Sequence, residues 1–390
     1  MMKHVYLKEM KDSFRDRKTI FLSIIIPILF NIGIVFFMDQ ILLVDRPDEK
    51  IDVSINEQAD PEVISWLKSV EQLHIIEVAD PLAHVKSGDS LIAFEVDSAF
   101  THLIKEEQSP EITIYAEPTS TKASSAMDTV SAMLTLKKNE LTSERLIEED
   151  VSPAVMEPFA FSTQSVTGEE DGFSKYMISI IAQIIIVIGV LMGGLPASSD
   201  LFAGEKERKT MEALMMTPVK RIHILLGKWL TIASLGIMSG IFSVITLVVF
   251  VQLFTTNMKE ALNLTDHLTV FISSLSVGII VFALLVAAIQ MVLSLLANTM
   301  KEAQNYVSPV MMVSMIPYFI LIGVTPHELT NVYFIIPVMN IYALIKQLIY
   351  GIYDLTSVLL VVGSSAVFIA ITFAIGAFMF SKGRWVLGKT

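Results

Sequence analysis

The sequence predicts an all-α polytopic membrane protein with six transmembrane helices and an α/β extracellular domain inserted between helices 1 and 2. Three observations predict it. The 390 residues are 53% hydrophobic and 17% charged, with mean hydropathy +0.61, whereas soluble domains carry about 25% charged residues. Six segments are apolar over most or all of the roughly 20 residues a helix needs to cross the hydrocarbon core. Charge is segregated, with 27 acidic and 10 basic side chains in residues 45–175 against 13 and 18 in the remainder.

Residues 1–18 read as an amphipathic interfacial helix. Tyr6, Met10 and Phe14 recur every four residues, while Lys8, Lys11, Asp12 and Arg15 take other faces. Such cations suit anionic headgroups, and as a basic flank they also enforce topology. Residues 19–44 form the first span, Ile20–Val44, with Pro27 and Asn31 inside it. It is longer than a signal-peptide core and no Ala-x-Ala-like site follows, so it is expected to stay as an anchor.

Residues 45–175 alternate strand-like runs (Ile51–Ile55, His74–Val78, Leu91–Val96, Ile112–Tyr115) with helix-like ones (Pro61–Val70, Pro81–Lys86, Ser98–Glu106). That alternation predicts a small α/β domain. Thr119–Ser125 is polar enough to cap the helical run Ala126–Ile147. The acidity reads as a solubilising outer face, since no Asp-x-[Asp/Asn]-x-[Asp/Asn]-Gly calcium loop occurs.

Residues 176–390 supply spans Tyr176–Leu201, Trp229–Phe254, Leu268–Ala297, Val307–Val324 and Leu355–Phe380. Basic residues mark the cytoplasmic side. They cluster before the first span, between the second and third (Lys206, Arg208, Lys209, Lys220, Arg221, Lys228), after the fourth (Lys301) and after the sixth (Lys382, Arg384, Lys389). Thr255–His267 has only Lys259 and Pro326–Asp354 only Lys346. Six spans with both termini cytoplasmic put every basic loop on one side. A seventh full span at Val332–Tyr350 would break that pattern, so residues 330–352 are expected to form an extracellular re-entrant hairpin around Pro337 and Asn340.

The segment 204–218 is a charged loop running into a short amphipathic helix. Glu205, Glu207, Arg208 and Lys209 crowd its start, Met211, Leu214 and Met215 make a stripe, and Pro218 ends it. The acids favour the positive end of the helix dipole. Such a helix is either an interfacial connector or a handle with a charged rim and apolar knobs for another protein. The run resembles the coupling segment of ABC-2 family permeases (type V ABC exporters), Gly-Glu-x-Glu-x-Gly-Thr-x-Glu-x-Leu-x-x-x-Pro between the second and third spans. Gly204, Glu205, Glu207, Thr210, Glu212, Leu214 and Pro218 match it. Lys209 departs from it, standing where the family usually has glycine.

The resemblance extends to the basic start, the large insert and the six-span layout. Lys301–Pro309 and Ile336–Asn340 resemble the sodium-efflux branch of that family. The resemblance implies a permease subunit that seats 204–218 in a groove of a separate cytoplasmic ATPase. It implies ATP and Mg on that ATPase, a second permease chain forming a homodimer, and sodium ion as the exported substrate, in a bacterial cell membrane. The alternatives are export of an amphipathic peptide, antibiotic or lipid-like compound, a membrane sensor with an extracellular ligand-binding domain, or a structural assembly partner.

Five amides at or near membrane depth, Asn31, Gln183, Gln290, Asn305 and Asn340, are the candidate pathway residues. Asp200 is expected near the cytoplasmic mouth. Polar groups at such depth often line a path, and they also serve as interhelical hydrogen-bonding groups. No acidic cluster inside the spans offers a sodium cage, and the metal ligands stay unassigned. The sequence has no Gly-x-x-x-x-Gly-Lys-[Ser/Thr] loop, no Gly-x-Ser-x-Gly and no His-Glu-x-x-His, so no ATP site, catalytic residue or cofactor is expected in this chain. The seven histidines are scattered, the cysteine count is zero, and no basic patch suggests nucleic acid.

Overall fold

The computed structural model describes residues 1–41, 50–70, 73–106, 108–116, 121–152, 172–254 and 268–382. Thr119, the Thr255–His267 connection, Arg384 and Lys389 lie outside them. The chain divides into two compact units, Met1–Gln40 with Gln164–Thr390, and Ile41–Thr163.

The first unit begins with α1 (Met2–Arg15), which stops at Asp16 in extended backbone. The Asp16 side chain accepts the Lys18 N–H at 3.0 Å and so caps α2 (Arg17–Ile20). A π-helical turn, Phe21–Ile25, leads into α3 (Ile26–Ile41).

In the second unit, β1 (Ile51–Asn56), α4 (Pro61–Lys68), β2 (Leu73–Val78), α5 (Pro81–Ser87), β3 (Ile92–Val96), α6 (Phe100–Lys105), β4 (Ile112–Ala116) and α7 (Thr121–Glu148) follow in order. The sheet runs β2-β1-β3-β4, with β1 parallel to β2 and β3, and β4 antiparallel to β3. Each strand lies within a residue or so of its expected run. Asp60 and Asp80 cap α4 and α5, each followed by proline at the first helical position. Asp60 also accepts the Thr101 N–H at 2.7 Å, tying α4 to α6. Val53, Ile55, Val63, Leu67, Phe94 and Val130 form the core between sheet and helices.

The described remainder of the first unit is mostly helical. It comprises α8 (Gly172–Ser198), a π-helical turn Ser199–Gly204, α9 (Glu205–Glu207), α10 (Thr210–Met215), α11 (Arg221–Phe254), α12 (Leu268–Leu296), α13 (Met300–Ser314), α14 (Ile316–Leu321), α15 (Asn331–Ile335), α16 (Met339–Ile349) and α17 (Leu355–Ser381). Five helical stretches among the described residues are long and apolar enough to cross a membrane: Arg17–Phe37, Lys175–Glu207, Arg221–Leu253, Leu268–Leu296 and Leu355–Ser381. The expected fifth span, Val307–Val324, is not one helix. It is the end of α13, a break at Met315 and then α14. Pro317 is the cause, because it has no N–H for the Val313 carbonyl and its ring crowds that turn. The segment 330–352 is likewise two short helices, broken at Ile336-Pro337-Val338. Every residue of α16 from Met339 to Ile349 is buried. At 1.5 Å per residue, these 11 residues reach about 16 Å, half of a hydrocarbon core.

Helices α8 and α11 pack closely. A side chain at Gly189 would collide with Ser243, and one at Gly193 with Ser239. Gly240 in turn admits Val190 and Ile279. Small residues four apart on both helices thus let their backbones approach, as membrane helix pairs commonly do.

Candidate functional site

The charged start of segment 204–218 is helical rather than a loop, and the expected amphipathic helix follows it as α10. That start continues α8 through the π-helical turn, where the Glu205 N–H donates to the Asp200 carbonyl five residues back. Gly204 packs closely, since a Cβ there would sit 2.8 Å from Asp200 Oδ1 and 3.3 Å from the Met300 side chain, and both would have to shift. The next four residues each bond a different place. Glu205 Oε1 accepts from Lys228 Nζ of α11 at 2.7 Å. Lys206 Nζ donates to the Leu295 and Ala297 carbonyls, at 2.6 and 3.1 Å, closing the carboxyl end of α12. Glu207 Oε2 accepts the Met300 N–H at 2.9 Å at the start of α13. Arg208 Nη1 donates to Asp200 Oδ1 at 2.8 Å, and that bond pushes the guanidinium pKa up. Asp200 is therefore paired rather than merely solvated.

Lys209 follows with φ 58 and ψ 19. This left-handed conformation favours glycine and costs other residues roughly 1–2 kcal/mol. The turn it makes redirects the chain into α10, and Thr210 Oγ1 holds the turn by donating to the Glu205 carbonyl at 3.2 Å. Within α10, Met211 is buried, and Leu214 and Met215 pack on the same core as Leu201, Phe202 and Leu225. The apolar stripe therefore faces the protein's own bundle, not outward. The exposed face is instead Lys209, Glu212, Ala213, Thr217 and Pro218, with Met216 83% exposed in the middle.

Lys228 and Glu9, which the sequence reading left as an ordinary base and an unremarked acid, sit at the centre of this site. Lys228 is fully buried, and its ammonium uses three donors on Glu205 Oε1 (2.7 Å), the Leu201 carbonyl (2.9 Å) and Glu9 Oε1 (3.3 Å). Removing Lys228 would leave the Glu9 and Glu205 carboxylates without it, a loss on the order of 3–5 kcal/mol. A signal was present, since Ile224, Lys228 and Ile232 fall four apart on one buried stripe of α11. Glu9 falls likewise between Val5 and Ser13, and this face of α1, rather than Tyr6–Met10–Phe14 alone, meets α11. Val5 abuts Gly227, and Tyr6 Oη lies 3.0 Å from Ser234 Oγ. A cleft of about 510 Å³ opens beside the cluster, its lining including Glu9, Asp12, Asp16, Asp200, Glu205 and Arg208.

The pathway candidates are not brought together. Asn31 is buried on α3 and donates to Ser243 Oγ at 2.9 Å. Gln183 turns back on Ser179 of its own helix. Gln290 of α12 donates to the Leu191 carbonyl of α8 at 2.8 Å. Asn340 of α16 donates to Ser365 Oγ of α17 at 2.8 Å, and Asn305 is exposed on α13. The side-chain oxygens of Asn31, Gln183 and Gln290 are buried without a hydrogen-bond donor. Among the described residues, no three His, Asp or Glu side chains gather as a metal cage would require. A cleft of about 590 Å³, almost wholly apolar, lies between α12, α13–α14 and residues 336–339, with Gln290 and Ser314 among its few polar members.

Comparison with known proteins fits this architecture. Residues 17–378 match the family described as ABC-2 family transporter protein. The ABC transporter permease protein NatB of Bacillus subtilis (strain 168) is 34% identical over 389 residues, covering 100% of both chains. A bundle of long apolar helices, with a charged elbow bonded into three of its neighbours, is thus the framework of a transporter, and the chain belongs to the ABC-2 transporter family.

Proposed function

We propose that this permease subunit is driven by a separate cytoplasmic ATPase that grips the 204–218 segment, and that the assembled complex exports sodium ions. One observation carries the coupling reading. The inner side of the segment is bonded to α11, α12 and α13 through Glu205, Lys206 and Glu207. Its outer side, around Glu212 and Met216, is left open. A push on that outer face would reach three helices at once. An exposed methionine beside charged residues is also a suitable knob for a protein groove. The ATPase binds ATP and Mg, and two copies of this chain complete the complex.

Sodium rests on the resemblance of Lys301–Pro309 and Ile336–Asn340 to sodium-efflux permeases. The donor-free amide oxygens of Asn31, Gln183 and Gln290 are hard oxygen ligands of the kind an alkali cation takes, and they keep those residues as pathway candidates. The apolar cleft beside Gln290 favours a second reading, export of an amphipathic peptide, antibiotic or lipid-like compound. Two experiments separate these readings. Glu212→Lys with Met216→Arg should abolish co-purification with the ATPase and its stimulation by the permease; unchanged stimulation rejects the coupling role. Sodium-loaded vesicles containing the purified complex should show ATP-dependent efflux, and their failure to do so removes sodium as the substrate.

A further inference from the structure

Four charges alternate in a line from α1 to the segment. Lys8 Nζ lies 3.2 Å from Glu9 Oε1, Glu9 Oε1 lies 3.3 Å from Lys228 Nζ, and Lys228 Nζ lies 2.7 Å from Glu205 Oε1. The exposure of these side chains is 57% at Lys8, 3% at Glu9, 0% at Lys228 and 12% at Glu205, so the inner three interact with little solvent screening. Glu9 belongs to α1, Glu205 to α9 and Lys228 to α11. One buried ammonium therefore joins the amino-terminal helix to the segment.

We propose that Lys228 is a positioning residue that makes α1 part of the moving unit: by holding Glu9 and Glu205 on one atom, it delivers any displacement of 204–218 to α1 as well as to α11. The inference rests on the reading of 204–218 as the ATPase's seat. Three physical points support it. Charge-assisted hydrogen bonds are short-ranged and directional, so Glu9 cannot stay behind when Lys228 shifts without its buried carboxylate losing the ammonium. The Val5–Gly227 contact and the Tyr6–Ser234 pair lie on the same face and resist sliding of α1 over α11. The π-helical turn sets the segment's first carboxylate, the largely covered Glu205, directly onto this line.

The cysteine-free chain allows a direct test in the full permease–ATPase complex. Spin labels at Lys11→Cys in α1 and Thr217→Cys beside α10 should report one narrow distance that is kept in both the nucleotide-free and the ATP-trapped states. Glu9→Met cuts the line at α1 yet leaves the Lys228–Glu205 pair compensated. It should let the two labels move apart or broaden on ATP trapping, and lower the permease-stimulated ATPase rate about tenfold, within the usual range of coupling between sites. Glu9→Gln retains an oxygen acceptor for Lys228 and should restore most of the rate.

If Glu9→Met does not assemble, the charge-free triple variant Lys228→Met/Glu9→Gln/Glu205→Gln, which leaves no lone buried charge, must show the same loss of the shared distance. Parent-like distances in an assembled variant overturn the proposal. Met216→Arg in the same complex tells the two levels apart. If it uncouples the ATPase while Glu9→Met does nothing, only the role of Lys228 is lost. If Met216→Arg also does nothing, the segment is not the ATPase's seat and the proposed function falls with it.

Discussion

Glu207 Oε2 accepts the backbone N–H of Met300 at 2.9 Å, so a carboxylate at the end of the second long helical stretch caps a helix that begins 93 residues later. The first N–H groups of a helix have no partner within it. Here another part of the chain supplies one, and the positive end of α13 meets a negative charge. Glu207→Ala should therefore destabilise the protein by about 1 kcal/mol, the usual cost of losing a helix cap. A thermal-unfolding series in detergent that found no drop in midpoint would show that water replaces the carboxylate at no cost.

Lys209 stands in the left-handed region with φ 58. Lys209→Gly removes that strain and should be neutral or stabilising. Lys209→Val places a β-branched side chain in the same conformation and should cost more than about 1 kcal/mol. The order of the two midpoints, glycine above valine, is the measurement.

Gly189 lies against Ser243 with no room for a side chain. Gly189→Ala should force α8 and α11 apart and cost about 1–3 kcal/mol, as overpacking does. Adding Ser243→Gly should recover part of that loss by emptying the space the new methyl needs. A double-mutant cycle that came out additive would mean the two residues do not share a contact.

Acid should loosen the α12–α13 corner. The Tyr306 hydroxyl, 2.6 Å from Glu302 Oε1, holds the Glu302 carboxyl below its usual 4.5, and the Asn298 N–H at 2.7 Å adds to this. A depressed carboxylate contributes stability that is complete above its unfolded pKa and is lost as pH falls through the folded one. Stability from this corner should thus be flat above about pH 5 and decline below it. In Tyr306→Phe the folded pKa moves back toward the unfolded one, so the decline should begin at the same pH but be smaller; unfolding curves that coincide between parent and variant at all pH values would exclude the effect.

Much of the fold was legible because local chemistry announced it. Proline after aspartate at 60–61 and 80–81 marks helix starts whatever surrounds them, and short strand-like runs between helix-like ones place the strands. The charged run at 204–218 was legible as a special segment, but its facing was not. Met211, Leu214 and Met215 form the stripe that either a partner or the protein's own core would require, and only the packed bundle shows that it is the core. In the sequence Lys228 reads as one of the bases that orient the chain, because charge near a span end is the signal of topology. Its burial depends on Glu9 and Glu205, which are far away in sequence. Pro309 and Pro317 were visible as well, yet hydropathy averages over them and reads one span where the backbone makes two helices.

The wide turn at Ser199–Gly204 acts as an angular offset. Each residue added to or taken from a helix rotates everything beyond it by about 100°. Were those six residues to relax into an ordinary helix, the four side chains from Glu205 to Arg208 would swing round the axis together. The carboxylate now under Lys228 would face elsewhere, and Lys206 and Glu207 would leave the corner they close. The elbow's wiring to three neighbours thus depends on one loosely wound turn, which sets the clock position from which the whole elbow is read.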